Sequence, residues 1–372
     1  MKPTLPRRAT GLSLVELMVS LAIGSLLIVG AIAVYANSRS TYTVNETVAR
    51  LQEQGRYVMS VMEPDVELAG YYGYTNSPDT LHFVRGAAPE TVLATAAAMR
   101  QRPLPPADPT PLAAAGVPAE AQVCGTNFAV DVLSPVQGSN GEFALGPGAG
   151  AGCDAFNGAT AADSDTLTLR RASSEPTDPV AGRIQIYASR LRSRTSQDLF
   201  ADGVAPGTID DDHQVFDLLV RAYYVARDSQ DRPGVPALRM KELTRDGGTP
   251  GFSDSELLPG VEDLQVQFGI DTGDYDNDGA VDPGIDVNGD GIPESDGRAT
   301  RYVNADFPGL DRLQVVAVRL WLRLRAERPE QGYVDARTYR YADVEYTPAG
   351  EDRKYRRLLL SRTILLRNSR TL

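Results

Sequence analysis

The sequence has few of the residues that build most catalytic centres. Its 372 residues include two histidines, two cysteines and one tryptophan. His82 and His213 stand far apart, and neither lies in a recognisable motif. The sequence also has no glycine-rich phosphate loop, no Gly-x-Ser-x-Gly elbow and no His/Cys set suited to zinc. We therefore predict that the protein is not an enzyme.

Positive charge is also in the minority. The chain has 37 Lys and Arg against 49 Asp and Glu, which gives a formal net charge of −12. An acidic surface repels the phosphates of nucleic acids and attracts divalent cations. We therefore expect no nucleic-acid partner.

Only one long apolar run is present, from Leu12 to Ala36, and its single charged residue is Glu16. As a helix it would be roughly 37 Å long, enough for a hydrocarbon core of about 30 Å. Lys2, Arg7 and Arg8 precede it without any acid, so the positive-inside rule keeps the N-terminus cytoplasmic. A carboxylate in lipid is costly unless it finds a partner. A plain signal anchor, with Glu16 at the membrane interface, is the alternative reading.

The residues around Glu16 resemble a known sequence motif. The segment Gly11-Leu12-Ser13-Leu14-Val15-Glu16-Leu17 resembles the processing site of type IV prepilins and of the pseudopilins of type II secretion. The resemblance implies that a prepilin peptidase cuts between Gly11 and Leu12 and methylates the new amino group. It also implies that Glu16 pairs with the N-terminal amine of a neighbouring subunit. The family most often has Phe where this chain has Leu12.

Beyond the apolar run, small or apolar residues continue at helical spacing. They are Val44, Val48, Leu51, Gly55, Val58 and Met62. This stripe predicts an amphipathic continuation of the helix with one face buried against a body. Pro64 should bend the helix or begin a new turn, and Gly70 is a plausible end.

The rest of the chain predicts strands without a βαβ rhythm. Alternating or β-branched segments lie at 166–169, 184–187, 215–226, 264–270, 318–324 and 355–366. The predicted fold class is α+β, a long N-terminal helix packed on an antiparallel β-sheet body. The predicted domains are a removed leader (1–11), a transmembrane half-helix (12–36), an amphipathic half-helix (37–69) and a β-rich body outside the cytoplasm (70–372). Residues 86–121 are rich in Ala and Pro and predict an irregular excursion.

Four strings later in the sequence make the family resemblance more specific. The strings at 51–57 (LQEQGRY), 68–73 (LAGYYG), 260–271 (GVEDLQVQFGID) and 365–368 (LLRN) are similar to PilW-type minor pilins of type IV pili. The similarity covers the first 74 residues and much of 257–368. It implies a bacterial protein of the inner membrane and then of the cell-surface pilus. The implied partners are other pilins, the prepilin peptidase and the inner-membrane assembly platform.

Cys124 and Cys153 both follow the predicted membrane segment. In an oxidising compartment they would form one disulfide closing a Gly-, Ala- and Pro-rich loop, worth about 3 kcal/mol in the chain-entropy model. Two unpaired buried thiols are the alternative.

An aspartate-rich loop within 271–297 has the spacing of a calcium-binding loop. Oxygen ligands recur at positions 1, 3, 5 and 9, with glycine at 6 and a backbone carbonyl at 7, in two copies twelve residues apart. The candidate ligands are Asp274, Asp276, Asp278, Ala280, Asp282, Asp286, Asn288, Asp290, Ile292 and Glu294. Neither copy has Glu at position 12, and no helices flank them, so they resemble helix-free extracellular calcium loops. A solvated acidic turn is the alternative to calcium binding.

Together these features predict a structural minor pilin that primes pilus assembly and is built into the fibre. A type II secretion pseudopilin is the nearest alternative. A pilus-tip adhesin that uses region 86–255, and a membrane-anchored calcium sensor, are alternatives from other classes.

Overall fold

The computed structural model describes residues 13–76, 81–83, 123–124, 128–132, 134–143, 145, 152–191, 197–271, 297–308, 310 and 314–369. The chain divides into two compact units, Met1–Gln52 and Glu53–Leu372. The described part of the first unit is almost entirely helix. The second contains the end of that helix and every described strand.

One helix, α1, runs from Leu14 to Glu67. Its large apolar side chains from Leu14 to Val34 are more than half exposed. The helix is long and apolar enough to cross a membrane, with a mean hydropathy of 2.6 over its most apolar stretch. Pro64 lies inside α1 and does not end it. Gly70 follows the helix in the left-handed conformation (φ +81°), which agrees with the predicted end.

Fourteen strands make up the described part of the body. In chain order they are β1 (Leu81–Phe83), β2 (Val136–Ser139), β3 (Thr166–Ala172), β4 (Ala181–Ser189), β5 (Gln197–Asp202), β6 (His213–Ala226), β7 (Ala237–Asp246), β8 (Thr249–Pro259), β9 (Val261–Asp271), β10 (Arg301–Asn304), β11 (Gln314–Arg325), β12 (Tyr339–Tyr341), β13 (Val344–Tyr346) and β14 (Arg357–Leu365).

These strands form two sheets and a hairpin. Eight strands follow the order β1-β5-β4-β6-β3-β2, with β7 added to β6 and β8 to β7. Four strands follow the order β10-β9-β11-β14, and β12 pairs with β13 alone. Every pairing is antiparallel except that of β1 with β5. The predicted α+β class with an antiparallel body is confirmed, and the parallel pair is the one departure within the described strands.

The four-stranded sheet has one fully buried face, because its central strands alternate as predicted. Leu264, Val266, Phe268 and Ile270 of β9 are completely buried, as are Val318, Leu320 and Leu322 of β11. The two sheets are joined where β3 meets β9, since the N–H of Asp165 donates to the carbonyl of Leu264 at 2.9 Å.

Region 86–255 contains β2 to β7 and part of β8, so it includes much of the eight-stranded sheet. Its described part is therefore not a separable insert. Deleting the whole region would remove the core of the body and could not distinguish adhesion from a structural role. The Ala/Pro-rich excursion predicted at 86–121 lies outside the described residues.

The hairpin of β7 and β8 was not predicted. Its turn is Gly247-Gly248, both with positive φ (56° and 97°), between the paired residues Asp246 and Thr249. A two-residue Gly-Gly turn is a recognised hairpin signal. The hairpin was not predicted because Lys241, Glu242 and Arg245 interrupt the alternation of apolar residues along β7.

Candidate assembly site

The start of α1 fixes the position of Glu16. The Oγ of Ser13 accepts a hydrogen bond from the N–H of Glu16 at 3.1 Å, and Glu16 Oε2 accepts one from the N–H of Ser13 at 3.0 Å. This reciprocal pair is a capping box, and a negative charge is favoured at this end of the helix. The predicted cleavage residues Gly11 and Leu12 lie outside the described residues.

The capping box gives Glu16 hydrogen-bond partners within its own chain, which were not predicted from the sequence. The spacing Ser13-x-x-Glu16 is the signal that was missed. The negative charge itself is still uncompensated, since no cationic side chain among the described residues forms an ion pair with Glu16.

The last part of α1, from Glu53 onward, is docked on the body. Val58, Met62 and Val66 are completely buried. Gly55 lies directly against Leu360 of β14, because a Cβ at this glycine would come within 2.0 Å of Leu360 Cδ1. Gly55, Val58 and Met62 of the predicted stripe therefore lie on the face of α1 that packs on the body, whereas Val48 of the same stripe is 38% exposed.

Asp65 lies on the same buried stripe and is held by three side chains of the eight-stranded sheet. Arg171 of β3 donates to Asp65 Oδ1 from Nη2 at 2.7 Å and from Nε at 3.0 Å. Arg221 of β6 donates from Nη1 to both carboxylate oxygens at 2.9 and 3.0 Å. The hydroxyl of Tyr223 donates to Oδ2 at 2.5 Å. Burial, and then the charge of Asp65, raise the pKa of Tyr223 and keep it protonated as a donor.

Two further ion pairs tie the end of α1 to β14 and the tail. Glu63 accepts from Arg362 Nη2 at 2.9 Å, and Glu67 pairs with Arg367 Nη2 at 2.7 Å. The backbone N–H of Arg367 also donates to the carbonyl of Glu67, which satisfies one of the free carbonyls at the helix end. Arginine beside the C-terminus of a helix is also favoured by the helix dipole.

The sequence carried part of the signal for this cluster. Asp65 follows Met62 by three residues on the apolar stripe. A buried carboxylate at such a position is expected to pair with a cation, because charged side chains are rarely fully buried without a partner. Its arginine partners could not be identified from the sequence, because Arg171 and Arg221 stand 106 and 156 residues away.

The predicted disulfide is confirmed. Cys124 and Cys153 are joined, with their Cα atoms 5.5 Å apart. Both lie in the hydrophobic core that includes Phe128 and Phe252. The bridge therefore fastens a loop-rich segment onto the core of the eight-stranded sheet.

The candidate calcium ligands from Asp274 to Glu294 lie outside the described residues. The two ends of their loop are described. Asp271 Oδ2 accepts from the N–H of Gly297 at 3.0 Å, and the N–H of Thr300 donates to the carbonyl of Ile270 at 2.9 Å. The aspartate-rich loop thus begins at the end of β9 and returns beside it at Gly297, just before β10. Within the described ranges, no group of three Asp, Glu, His or Cys side chains is arranged to hold a metal ion.

His213 is the first residue of β6. Its Nδ1 lies 2.8 Å from Asp210 Oδ1, and its side chain is 19% exposed. The hydrogen bond to His213 lowers the pKa of Asp210. The ring stacks on Tyr187 with centroids 5.9 Å apart. The hydrogen bond and the stacking thus hold the ring at the start of β6.

Two family models match the chain. Residues 222–368 match the type IV pilus-assembly protein W family, and residues 6–32 match the prokaryotic N-terminal methylation motif. The first match covers β7 to β14 and the end of β6, and the second covers the apolar start of α1. The resemblance to minor pilins is therefore confirmed. The family that matches the body is one of pilus proteins, not of enzymes.

The structural comparison found a type IV-like pilin from Thermus thermophilus. It is 14% identical to this chain, with a TM-score of 0.25, over 56% of this chain and 80% of the other. The comparison with curated proteins found no match.

Proposed function

We propose that this chain, which carries a protein W domain and an N-terminal methylation motif, is a structural minor pilin that primes type IV pilus assembly and enters the fibre. The observation that carries the proposal is the helix α1. Its exposed apolar start holds an uncompensated Glu16, and its end is fixed to both sheets. Such a helix can pack among similar helices while the body makes the specific contacts.

The proposed maturation follows the domain organisation expected from the sequence. A prepilin peptidase removes residues 1–11 and methylates Leu12, and the chain then sits in the inner membrane with its body in the periplasm. The assembly platform transfers it into the pilus. In the fibre, Glu16 neutralises the N-terminal amine of a neighbouring pilin, a pairing that is strong in a medium of low dielectric constant.

The test separates the charge of Glu16 from its capping role. Glu16→Gln keeps an oxygen that can accept from the N–H of Ser13, whereas Glu16→Ala removes both the cap and the charge. We expect both variants to lose recruitment into sheared pili. Glu46→Ala is the matched control, because Glu46 forms only an exposed pair with Arg50 on the same helix.

Two outcomes would contradict the proposal. Normal recruitment of both Glu16 variants would remove the role of this residue in assembly. Normal recruitment of Glu16→Gln alone would show that the capping box matters and the charge does not.

We also propose that the loop between β9 and β10 binds calcium. The support is its ligand spacing in two copies and the pinning of its ends by Asp271 and Gly297. Isothermal titration of the full chain in detergent should detect calcium at high-micromolar to millimolar concentration. Asp274→Asn combined with Asp286→Asn should abolish the heat, and Asp210→Asn should not. Absence of heat in the unmodified chain would contradict the assignment.

A type II secretion pseudopilin would share the apolar start of α1 and the methylation motif. The match of residues 222–368 to a pilus-assembly family favours the pilus. The adhesin alternative can be tested by deleting residues 86–121, since deleting all of 86–255 would remove much of the eight-stranded sheet. Intact pili with lost attachment would support adhesion.

A further inference from the structure

Strand β14 is an open edge of the four-stranded sheet. The N–H of Leu366 donates to the carbonyl of Val316 at 2.9 Å, which sets the register of the ladder between β14 and β11. In an antiparallel ladder alternate residues bond the neighbouring strand. The backbone groups of Ser361, Thr363 and Leu365 therefore point away from β11. Among the described residues, none bonds these groups.

The side chains beside this edge form a mixed aromatic and basic surface. Arg319 of β11 lies over the ring of Tyr302 at 3.6 Å and donates to Thr363 Oγ1 at 3.2 Å. Trp321 pairs with Ser361 across the ladder and is half-buried. Leu365, at the end of β14, is 64% exposed. We call this surface the edge platform; it consists of Tyr302, Arg319, Trp321, Ser361, Thr363 and Leu365.

The same face of the sheet is covered elsewhere by the hairpin of β12 and β13. The hydroxyl of Tyr341 donates to Asp263 Oδ2 at 2.6 Å, and the guanidinium of Arg323 lies 3.7 Å from the ring of Tyr346. Arg323 and Arg325 each have Glu262 as an ion-pair partner.

Arg319 differs from these neighbours on β11. Within the described part of the chain it forms no ion pair with a carboxylate. It is held in place by Tyr302 and Thr363, so its guanidinium is pre-oriented and little side-chain freedom remains to be lost on binding. Tyr, Trp and Arg are also the residues that most often anchor protein interfaces.

We propose that the edge platform takes up an extended segment of another subunit in the assembly. The segment adds to the four-stranded sheet as a fifth strand beside β14 and places a carboxylate on Arg319. Main-chain bonds to the open edge supply affinity, and the aromatic and basic side chains select the sequence. This inference rests on the proposed assembly role and specifies the chemistry of one partner.

A second copy of β14 does not fit as the added strand. The strand contains Arg357 and Arg362 and no acid. These arginines already pair with Glu262 and Glu63, so a second copy of β14 would bring no carboxylate to Arg319. A strand that carries an acid complements the platform.

The first test removes one outward-facing N–H. Ser361→Pro deletes a donor that makes no bond to β11, so the native ladder is kept, and proline is tolerated on edge strands. Ser361→Ala retains the N–H and is the matched control. In cells that build pili, we expect Ser361→Pro to reduce the amount of full chain in sheared pili by about tenfold or more relative to Ser361→Ala. Processing and membrane level should be unchanged.

Equal incorporation of the two variants would overturn the proposal while leaving the assembly role intact. Absence of the unmodified chain from pili would instead refute the assembly role, so the two failures are distinguishable. If Ser361→Pro does not accumulate, Arg319→Glu is compared with Arg319→Lys. Loss of incorporation for Arg319→Glu alone supports the proposal, and equal incorporation of both overturns it.

A photo-reactive residue at Leu365 identifies the occupant. We expect an adduct to a different pilin subunit, at an extended segment that contains Asp or Glu. An adduct between two copies of this chain, or no adduct in assembled pili, would overturn the proposal.

Discussion

Asp65 is the residue on which the docking of α1 depends most directly. Its side chain is 2% exposed and is surrounded by two guanidiniums and a tyrosine hydroxyl. Removing one partner of such a buried pair leaves the others uncompensated, which costs about 3–5 kcal/mol. Asp65→Asn should lower the free energy of unfolding of the body by this amount, measured by urea denaturation followed through Trp321 fluorescence.

The control for Asp65 is an ion pair on the exposed part of the same helix. Glu46 and Arg50 are more than half exposed, and such pairs contribute about 0.5 kcal/mol or less. Glu46→Gln should leave the midpoint almost unchanged. Equal effects of the two substitutions would contradict the role assigned to Asp65.

Asp165 makes stability depend on pH. Its oxygens accept from the N–H groups of Gly141 and Val266 at 2.8 and 2.7 Å, yet burial raises the pKa of this carboxyl to about 7. The unfolded chain loses this proton near pH 3.8, so the folded state binds more protons between the two values. The contribution of Asp165 to the free energy of unfolding therefore falls as pH rises, by about 3 kcal/mol between pH 4 and pH 7.

Asp165→Asn cannot titrate, so it isolates this effect. We expect the stability of the unmodified chain relative to Asp165→Asn to decrease steadily from pH 4 to pH 7. Urea denaturation of both proteins across this range measures the difference. A difference that does not change with pH would contradict the raised pKa.

At the scale of elements, the disulfide fastens the segment that precedes β3. Its cysteines are 29 residues apart, and closing a loop of this length is worth about 3 to 4 kcal/mol. Replacement of Cys124 and Cys153 by alanine should lower the free energy of unfolding by about that amount. A reductant should lower the free energy of unfolding of the unmodified protein to that of the variant, and it should not change the value for the variant. An unchanged unfolding midpoint after reduction would contradict a stabilising role.

The elements that were predicted correctly from the sequence are those with one buried face, because such a face requires apolar residues at regular spacing. The last part of the α1 stripe and the alternation of β9 and β11 are such cases, since each buries its apolar residues on one face. Strands that bury charged side chains in ion pairs were not predicted, because these residues interrupt the apolar pattern. On β7, Arg239 and Lys241 are buried because Asp254 of β8 compensates them at 2.7 and 2.9 Å. No local pattern marks such long-range compensation.

The candidate site was predictable only where it is local. Gly11, Leu12 and Glu16 stand in one motif, and the methylation-motif match covers them. The capping box was readable from Ser13 and Glu16 but was overlooked. The clamp on Asp65 and the open edge of β14 depend on which strands are neighbours, and this follows only from the three-dimensional structure.

At the scale of the whole molecule, the proposed assembly role uses two different kinds of contact. The apolar start of α1 offers packing and one uncompensated charge, which many similar helices could share. The body offers specific surfaces such as the edge platform. We therefore expect loss of Glu16 to reduce recruitment into any fibre, whereas changes at Ser361 or Arg319 should affect only the contact with one neighbour. Comparison of these variants by the composition of sheared pili tests this division.

The most direct test of the account is the N-terminus of the chain recovered from sheared pili. Mass spectrometry should find a protein that begins with methylated Leu12 and lacks the first eleven residues. A chain that still carries those residues in a strain with working pili, or one that never leaves the membrane, would contradict the account.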